Sequence, residues 1–188
     1  MMLKLRIAAA LLVLALAFVV LGAPTPPPAV AGSAAQIDSE VDAAVGVLFR
    51  NNPEARVLNE RAVGVLVFPN IVKAGFLFGA QYGEGALRQR GKTTGYYNSM
   101  AASYGLQAGV QKFGYALFFM SDSALQYLDK SGGFELGTGP SIVVLDAGTA
   151  RAFTTTTTQS DIYAVFFDQK GLMAGLGIQG SKISRLYK

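Results

Sequence analysis

Neither cysteine nor histidine occurs in the 188 residues. Without cysteine there can be no disulfide, no thiolate metal site and no thiol nucleophile. Without histidine the commonest general base is missing, and with it the Ser-His-Asp arrangement and nearly every zinc site. Tryptophan is also absent, which excludes nothing. Charge is scarce, at 15% of residues. Of the 16 basic groups, Lys4 and Arg6 lie in a leader-like segment, and the remaining 14 face 12 acidic ones. That balance excludes a dedicated nucleic-acid binder, which needs a strongly basic face. No G-x-S-x-G, Ser-x-x-Lys or Walker loop is present. The acids are scattered, and only a pair assembled in space, such as Glu84 with Asp168, would suit glycosidase chemistry. The chain is therefore read as a non-enzyme, with no cofactor and no metal.

What remains is apolar and glycine-rich: 51% hydrophobic residues and 22 Gly, a composition that folds. Lys4 and Arg6 precede the apolar run Ile7 to Leu21, which is 15 residues long. This is the length of a signal-peptide core and short for a membrane span. A Pro-rich stretch follows, and Ala29-Val30-Ala31 meets the small-x-small rule for leader cleavage before Gly32. Extended to Ala23 the run reaches 17, which keeps an uncleaved anchor as the alternative. Pro24 stands where a lipoprotein needs cysteine, so lipoprotein acylation is excluded. Residues 1–31 are read as a signal peptide, 32–36 as a short linker and 37–188 as a single domain. The expected location is periplasmic or secreted, with peripheral membrane association.

Ile37, Val41, Val45 and Leu48 recur at helical spacing, with Asp38, Glu40 and Asp42 off that face and near the helix start. Asn52-Pro53-Glu54 opens a second short helix, Asn52 as its N-cap and Pro53 as its first residue. From Gly64 onward there are 19 Gly and two Pro between aromatic and β-branched runs. Strands are predicted at 63–68, 75–88, 95–100, 103–111, 115–120, 141–145, 152–158, 162–167 and 172–187. One helix, capped by Ser121, spans 122–130 and stops at Gly132-Gly133. The pattern predicts a mainly β chain with some α: an antiparallel Gly-rich β-barrel or closed sandwich, two N-terminal helices and one inserted helix.

Within 75–88 the even positions carry Phe76, Phe78, Tyr82 and Arg88, and the odd ones carry Gly75, Gly79, Gln81, Gly83 and Gly85. Side chains alternate faces along a strand, so one face is side-chain rich and the other is Gly and Gln. Two readings fit the bare face. Glycine relieves crowding where a small sheet curls tightly. Alternatively, the bare face is a shallow groove for an acyl chain. Gly175-Leu-Gly177-Ile-Gln-Gly180 matches the dinucleotide pattern, but too little chain follows to complete a βαβ unit.

Several motifs resemble the SYLF lipid-binding domain. They are Lys73-Ala-Gly-Phe, Gly79-Ala-Gln-Tyr-Gly-Glu-Gly, Gly105-Leu-Gln-Ala-Gly, Phe118-Phe-Met, Gly137-Thr-Gly-Pro-Ser, Ser160-Asp-Ile-Tyr, and the stretch from Asp168 to Ile183. The resemblance spans Val41 to Lys188 and implies lipid binding without catalysis. In this family the membrane contact involves a basic amphipathic N-terminal helix, whereas the corresponding helix here is acidic. Lys73, Lys112, Lys170 and Lys182 match family motifs. Electrostatics adds Arg88, Arg90 and Lys92 around a predicted hairpin tip, with Phe76 and Tyr82 on the same face. The expected lipid-contact set is Lys73, Phe76, Tyr82, Arg88, Arg90, Lys92 and Lys112, sharing one rim of the sheet. The expected function is a lipid- or membrane-binding module of the bacterial cell envelope that recognises anionic phospholipid. The alternative is an envelope structural or interaction protein whose partner pairs with its sheet edge.

Overall fold

Ser33 starts the first helix, α1 (Ala34–Asn51), with its hydroxyl accepting from the Gln36 amide at 3.2 Å. In the computed structural model the described residues are 31–129, 134–136, 139–145, 160–171 and 180–188, without the side chains of 76–77 and 103–108. Ile37, Val41, Ala44 and Leu48 form the buried stripe of α1, with Val45 at its margin. Pro53 leads α2 (Pro53–Arg61), where a missing amide hydrogen costs nothing. Asn52 does not cap α2 with its side chain as expected. It turns back, and its Nδ2 reaches the Leu48 carbonyl of α1 at 3.4 Å.

Two very long strands follow, β1 (Gly64–Gln89) and β2 (Lys92–Phe119), paired antiparallel throughout. The sequence predicts two strands in the first and three in the second. The expected break at Pro69-Asn70 is a bulge. Phe68 pairs with Tyr115 and Ile71 with Phe113, so two residues of β1 oppose Gly114 alone. A bulge tolerates a residue that cannot donate to the ladder. It also flips the parity, so that Leu66 and Phe68 share a core with Ile71 and Leu87. The hairpin closes at Arg90 and Gly91, both with positive φ (50° and 76°), the backbone of a type I′ turn.

After β2 come α3 (Asp122–Gln126), a 3₁₀ turn (Tyr127–Asp129), and strands β3 (Phe134–Glu135), β4 (Ile142–Leu145), β5 (Ile162–Gly171) and β6 (Lys182–Leu186). The inserted helix predicted at 122–130 is thus helical through Asp129, with a 3₁₀ last turn, and Lys130 lies outside the described residues. The outer edge of β2 serves two strands. Its first part pairs with β6 at 96–100, and its second part with β5 at 111–119. Pairing is antiparallel except between β4 and β5, which run parallel. The predicted strand at 152–158 and residues 172–179 of the last one lie outside the described residues.

The β1–β2 hairpin coils until its two halves face each other. A Cβ on Gly83 would come within 2.5 Å of the Asn70 carbonyl oxygen, and one on Gly85 would overlap the Val67 carbonyl oxygen. The bare face seen in the sequence is therefore covered by the chain's own backbone at these positions. No acyl chain fits there. At the far end of the coil a Cβ on Gly75 would lie 2.5 Å from the Gly79 Cα, which marks a sharp bend at 75–79. The result is the mainly β chain with three helices that the sequence predicts, its sheet a curled half-barrel that does not close among the described residues.

Inside the coil sit Leu66, Phe68, Ile71, Tyr97, Phe113, Tyr115 and Phe119, all essentially fully buried. The Tyr115 hydroxyl donates to the Ser99 Oγ at 2.7 Å, and the Gln81 amide donates to the Ser181 Oγ at 2.9 Å, so these polar groups are paired across the coil. On the outer face, α1 and α2 cover Val65, Val67, Ala86, Phe118 and Val165. Each large side chain buried this way contributes about 1.5–3 kcal/mol relative to exposure.

Gly85→Ala is expected to destabilise the fold by about 1–3 kcal/mol or more, because its methyl would meet backbone that cannot rotate away. Ala80→Ser, on the exposed face, should shift stability by less than about 0.5 kcal/mol. Urea midpoints of the two variants make the comparison. Equal midpoints would show that the two halves of β1 are not in contact.

Candidate functional site

The acids of α1 hold the helix to the sheet. The carboxylate of Asp38 accepts from the Thr93 hydroxyl at 2.6 Å and the Tyr96 hydroxyl at 2.8 Å. Arg88 reaches Asp42 at 2.7 Å and Asp38 at 3.4 Å, and also donates to the Asp38 carbonyl oxygen. Glu40 accepts from Asn70 at 2.9 Å. The hydrogen bond from Thr93 is the main cause that holds the Asp38 carboxyl below its usual range, helped by Tyr96 and Arg88. These acids are not first-turn partners of the helix dipole, as their expected position implied. The helix begins at Ala34, which carries them past its first turn.

The predicted basic residues fall into two places. Arg88, Arg90 and Lys92 line a cleft of about 1050 Å³ between the helices and the hairpin turn. Its apolar wall includes Val45, Phe49 and Val63. Its rim also carries Asp42, Glu60 and Asp122, so acids match bases one for one. Arg88 is committed to α1, and its Nε is buried without a partner. An anion gains little here.

Lys73 and Lys112 lie near the other end of the coil. Lys73 pairs with Gln111, and Lys112 is flanked by Val72 on β1 and Lys170 on β5. Lys170 also meets Asp168 at 3.0 Å, an exposed pair of little energetic weight. Neither Lys73 nor Lys112 makes an ion pair among the described residues. The C-terminal cluster is largely engaged. Arg185 pairs with Asp129 at 2.9 Å, and Lys188 with Glu84 at 3.4 Å.

The bend at 75–79 turns its bare side inward, so Val72, Ala74, Phe78, Ala80 and Tyr82 point outward from the convex side. Cross-strand pairs Val72 with Lys112, Ala74 with Val110, Ala80 with Ala102 and Tyr82 with Met100 line up along this face. Phe78 is 73% exposed, Val110 61%, Met100 51% and Val72 46%. Large apolar side chains exposed side by side mark an interaction surface. Tyr82 ends the strip. Its hydroxyl donates to Glu84 at 2.8 Å, and burial, with that hydrogen bond, pushes its pKa up to about 12. Phe76 belongs to the same run of β1, opposite Ala108. Met100 and Val110 were missed as site residues, because apolar side chains on a strand read as core, and Phe78, on the side-chain-rich face of 75–88, was left out of the expected contact set. The signal was the bare opposite face, which leaves no room for them inside.

Among the described residues no group of three or more His, Cys, Asp or Glu is placed to hold a metal, and no helix is long and apolar enough to cross a membrane. The Gly137-to-Ser141 and Ser160-to-Tyr163 motifs meet at their ends. Ser141 donates to Asp161 from both its amide and its hydroxyl, at 2.9 and 2.8 Å, where β4 lies beside β5.

Residues 100–187 match the family model described as Ysc84: Las17-binding protein actin regulator. This is the SYLF family that the motifs resemble. No curated protein gives a match. The matched segment starts inside β2 and runs through β6, leaving α1, α2 and β1 outside it.

A carboxyl whose pKa is depressed in the folded state stabilises above its unfolded value, and that contribution is lost as pH falls through the folded pKa. Asp38 and Asp161 are both lowered from 3.8, the latter by its Ser141 hydrogen bonds. Stability should be level near pH 5 and fall as the pH drops below about 4. Asp38→Asn should flatten that fall in a series of urea midpoints between pH 5 and pH 2. An identical slope in the variant would remove Asp38 as a source of the acid sensitivity.

Proposed function

We propose that this protein is a non-catalytic module of the bacterial cell envelope that binds membrane surfaces containing anionic phospholipid. The observation that carries the reading is the exposed strip on the convex side of the β1 bend. Val72, Phe78, Tyr82, Met100 and Val110 lie there beside Lys112 and Lys170. Apolar groups that enter the headgroup region next to cations that meet phosphate form the chemistry of a peripheral membrane site. The family match supports a binding role, since the family is described by what it binds and regulates. The leader-like N-terminus supports export. Within the expected contact set, Tyr82 and Lys112 belong to this strip and Phe76 lies on the same run of β1, whereas Lys73, paired with the buried Gln111, is on the opposite face of the sheet. Arg90 and Lys92 belong to the charge-balanced cleft, and Arg88 is a tether for α1.

A second reading rests on β4. Among the described residues it ends the sheet, with Val143 and Val144 exposed, and an extended segment of an envelope protein would add there by strand pairing.

The test is flotation with vesicles of phosphatidylcholine alone or with rising phosphatidylglycerol or cardiolipin. Binding should rise with anionic lipid and weaken at 1 M salt, where the Debye length is about 3 Å. Each cation near such a surface contributes about 1 kcal/mol, so Lys112→Ala/Lys170→Ala should weaken binding about 30-fold. Phe78→Ala should weaken it by about tenfold or more, from the loss of an aromatic ring that the membrane would bury. Arg90→Ala/Lys92→Ala should change it little. The reverse pattern would move the site to the cleft. Absence of binding to every composition at low salt would remove the lipid function and favour the edge of β4.

A further inference from the structure

Glu84 gathers three donors. Its Oε2 accepts from the Gly32 backbone nitrogen at 2.9 Å and lies 3.4 Å from the Lys188 Nζ, while its Oε1 accepts from the Tyr82 hydroxyl at 2.8 Å. Lys188 in turn donates to the Gly32 carbonyl oxygen at 2.7 Å. Both polar groups of one glycine are thus clamped by a carboxylate and an ammonium that also pair with each other. The side chains of that pair are only 11% and 13% exposed. A site this enclosed is a costly place to leave a charge unmatched.

The position of Gly32 gives the clamp its meaning. It follows Ala29-Val30-Ala31, which satisfies the leader-cleavage rule. It is also the first residue of the compact unit that runs to Lys188. We infer that Gly32 is the mature N-terminus, and that Glu84 is the acceptor for the α-ammonium created when the leader is removed. Leader peptidase would add water across the Ala31–Gly32 amide. The C–N bond breaks, the new C–O bond leaves a carboxylate on Ala31, and the nitrogen takes up protons to become an ammonium on Gly32. The donor facing Glu84 then changes from a neutral amide to a cation, and charge-assisted hydrogen bonds are about twice as strong as neutral ones.

Three features favour a carboxylate there. The new ammonium lies just ahead of α1, whose N-terminus is itself the positive end of the helix dipole. The first turn of α1 carries no acid to offset it. Lys188 adds a further positive charge nearby. Glu84, delivered from β1, is the counter-charge that the helix does not supply. A larger residue at 32 would be crowded, because a Cβ there would lie 3.3 Å from both Glu84 and Ile37.

The inference rests on the leader being cleaved and is independent of lipid binding. The full chain would be expressed in a bacterium with its own leader, and the product sequenced from its N-terminus and weighed intact. The expected start is Gly32-Ser33-Ala34-Ala35-Gln36. A product that keeps the leader, or begins at another residue, overturns the proposal. The same purified protein would then be acetylated selectively at the α-amine at neutral pH. Acetylation should lower the Tm by about 2–4 °C, the shift of one modest interaction in a domain of this size. In Glu84→Gln that drop should disappear. An unchanged Tm on acetylation, or an equal drop in the Gln variant, would show that cleavage occurs but that Glu84 does not hold the new terminus. Should Glu84→Gln fail to fold, an unchanged Tm on acetylation of the unsubstituted protein still overturns the proposal, and Glu84→Asp, which keeps the charge but shortens its reach, takes the place of the Gln variant and should show a smaller drop.

Discussion

Everything in this architecture depends on one close approach: the carbonyls of Val67 and Asn70 lying against Gly83 and Gly85. Backbone packed on backbone at that distance leaves no space for a Cβ on the inner side. A 26-residue strand can double over itself only if its inner positions are nearly bare. The interior is then filled by Phe68, Tyr97, Phe113, Tyr115 and Phe119, from the stretches on either side of the 75–79 bend and its partner segment. The side chains of the middle have one place to go. They project from the convex face, which is why Phe78 and Val110 are exposed although both lie in strands. The exposed strip is a geometric consequence of the packing and at the same time the surface best suited to an apolar partner.

Charge follows a comparable division. Acids that seemed to make α1 unsuited to a membrane surface are the means by which the helix is fastened. Asp38 binds Thr93, Tyr96 and Arg88, Asp42 binds Arg88, and Glu40 binds Asn70. With Arg88, Arg185 and Lys188 all paired, the cations left for an external anion are those on loops and on the outer sheet face. A count of basic residues in the sequence cannot make that distinction. It depends on which carboxylates the fold brings within reach, and those come from residues such as Asp42 and Asp129, 46 and 56 positions away from their partners.

The sequence was most legible where a single periodicity governed a segment. The α1 stripe, Pro53 at the start of α2 and the alternation of Gly and Gln with larger residues in β1 were all readable, because each follows from local geometry. Pro69-Asn70 was not. As a dipeptide it signals a turn, and only the pairing of β1 with β2 across Gly114 makes it a bulge inside a continuous strand. The same holds for which face of β1 is buried. Alternation separates two faces, but the rule that apolar side chains go inward fails when the inward space is occupied by backbone. The division of the basic residues between a cleft and a strip was illegible for a similar reason. Both groups lie on the same hairpin, and only its coiling assigns them to different ends.

The strip also has a divided origin. Met100, Ala102, Val110, Lys112 and Lys170 lie within the segment that matches the family model, while Val72, Ala74, Phe78, Ala80 and Tyr82 come from β1, which lies outside it. Most rows of the strip are cross-strand pairs with one member from each. Cross-strand neighbours on one face sit about 5 Å apart, so the surface exists only when both strands are present in register. A one-residue slip would turn the apolar positions of β1 inward and its glycines outward. Such a slip is blocked by the contacts at Gly83 and Gly85, since side chains such as Tyr82 and Glu84 would then have to occupy the space taken by the Val67 and Asn70 carbonyls. The glycine row that permits the coil therefore also fixes the register, and the register in turn aligns the two halves of the exposed surface.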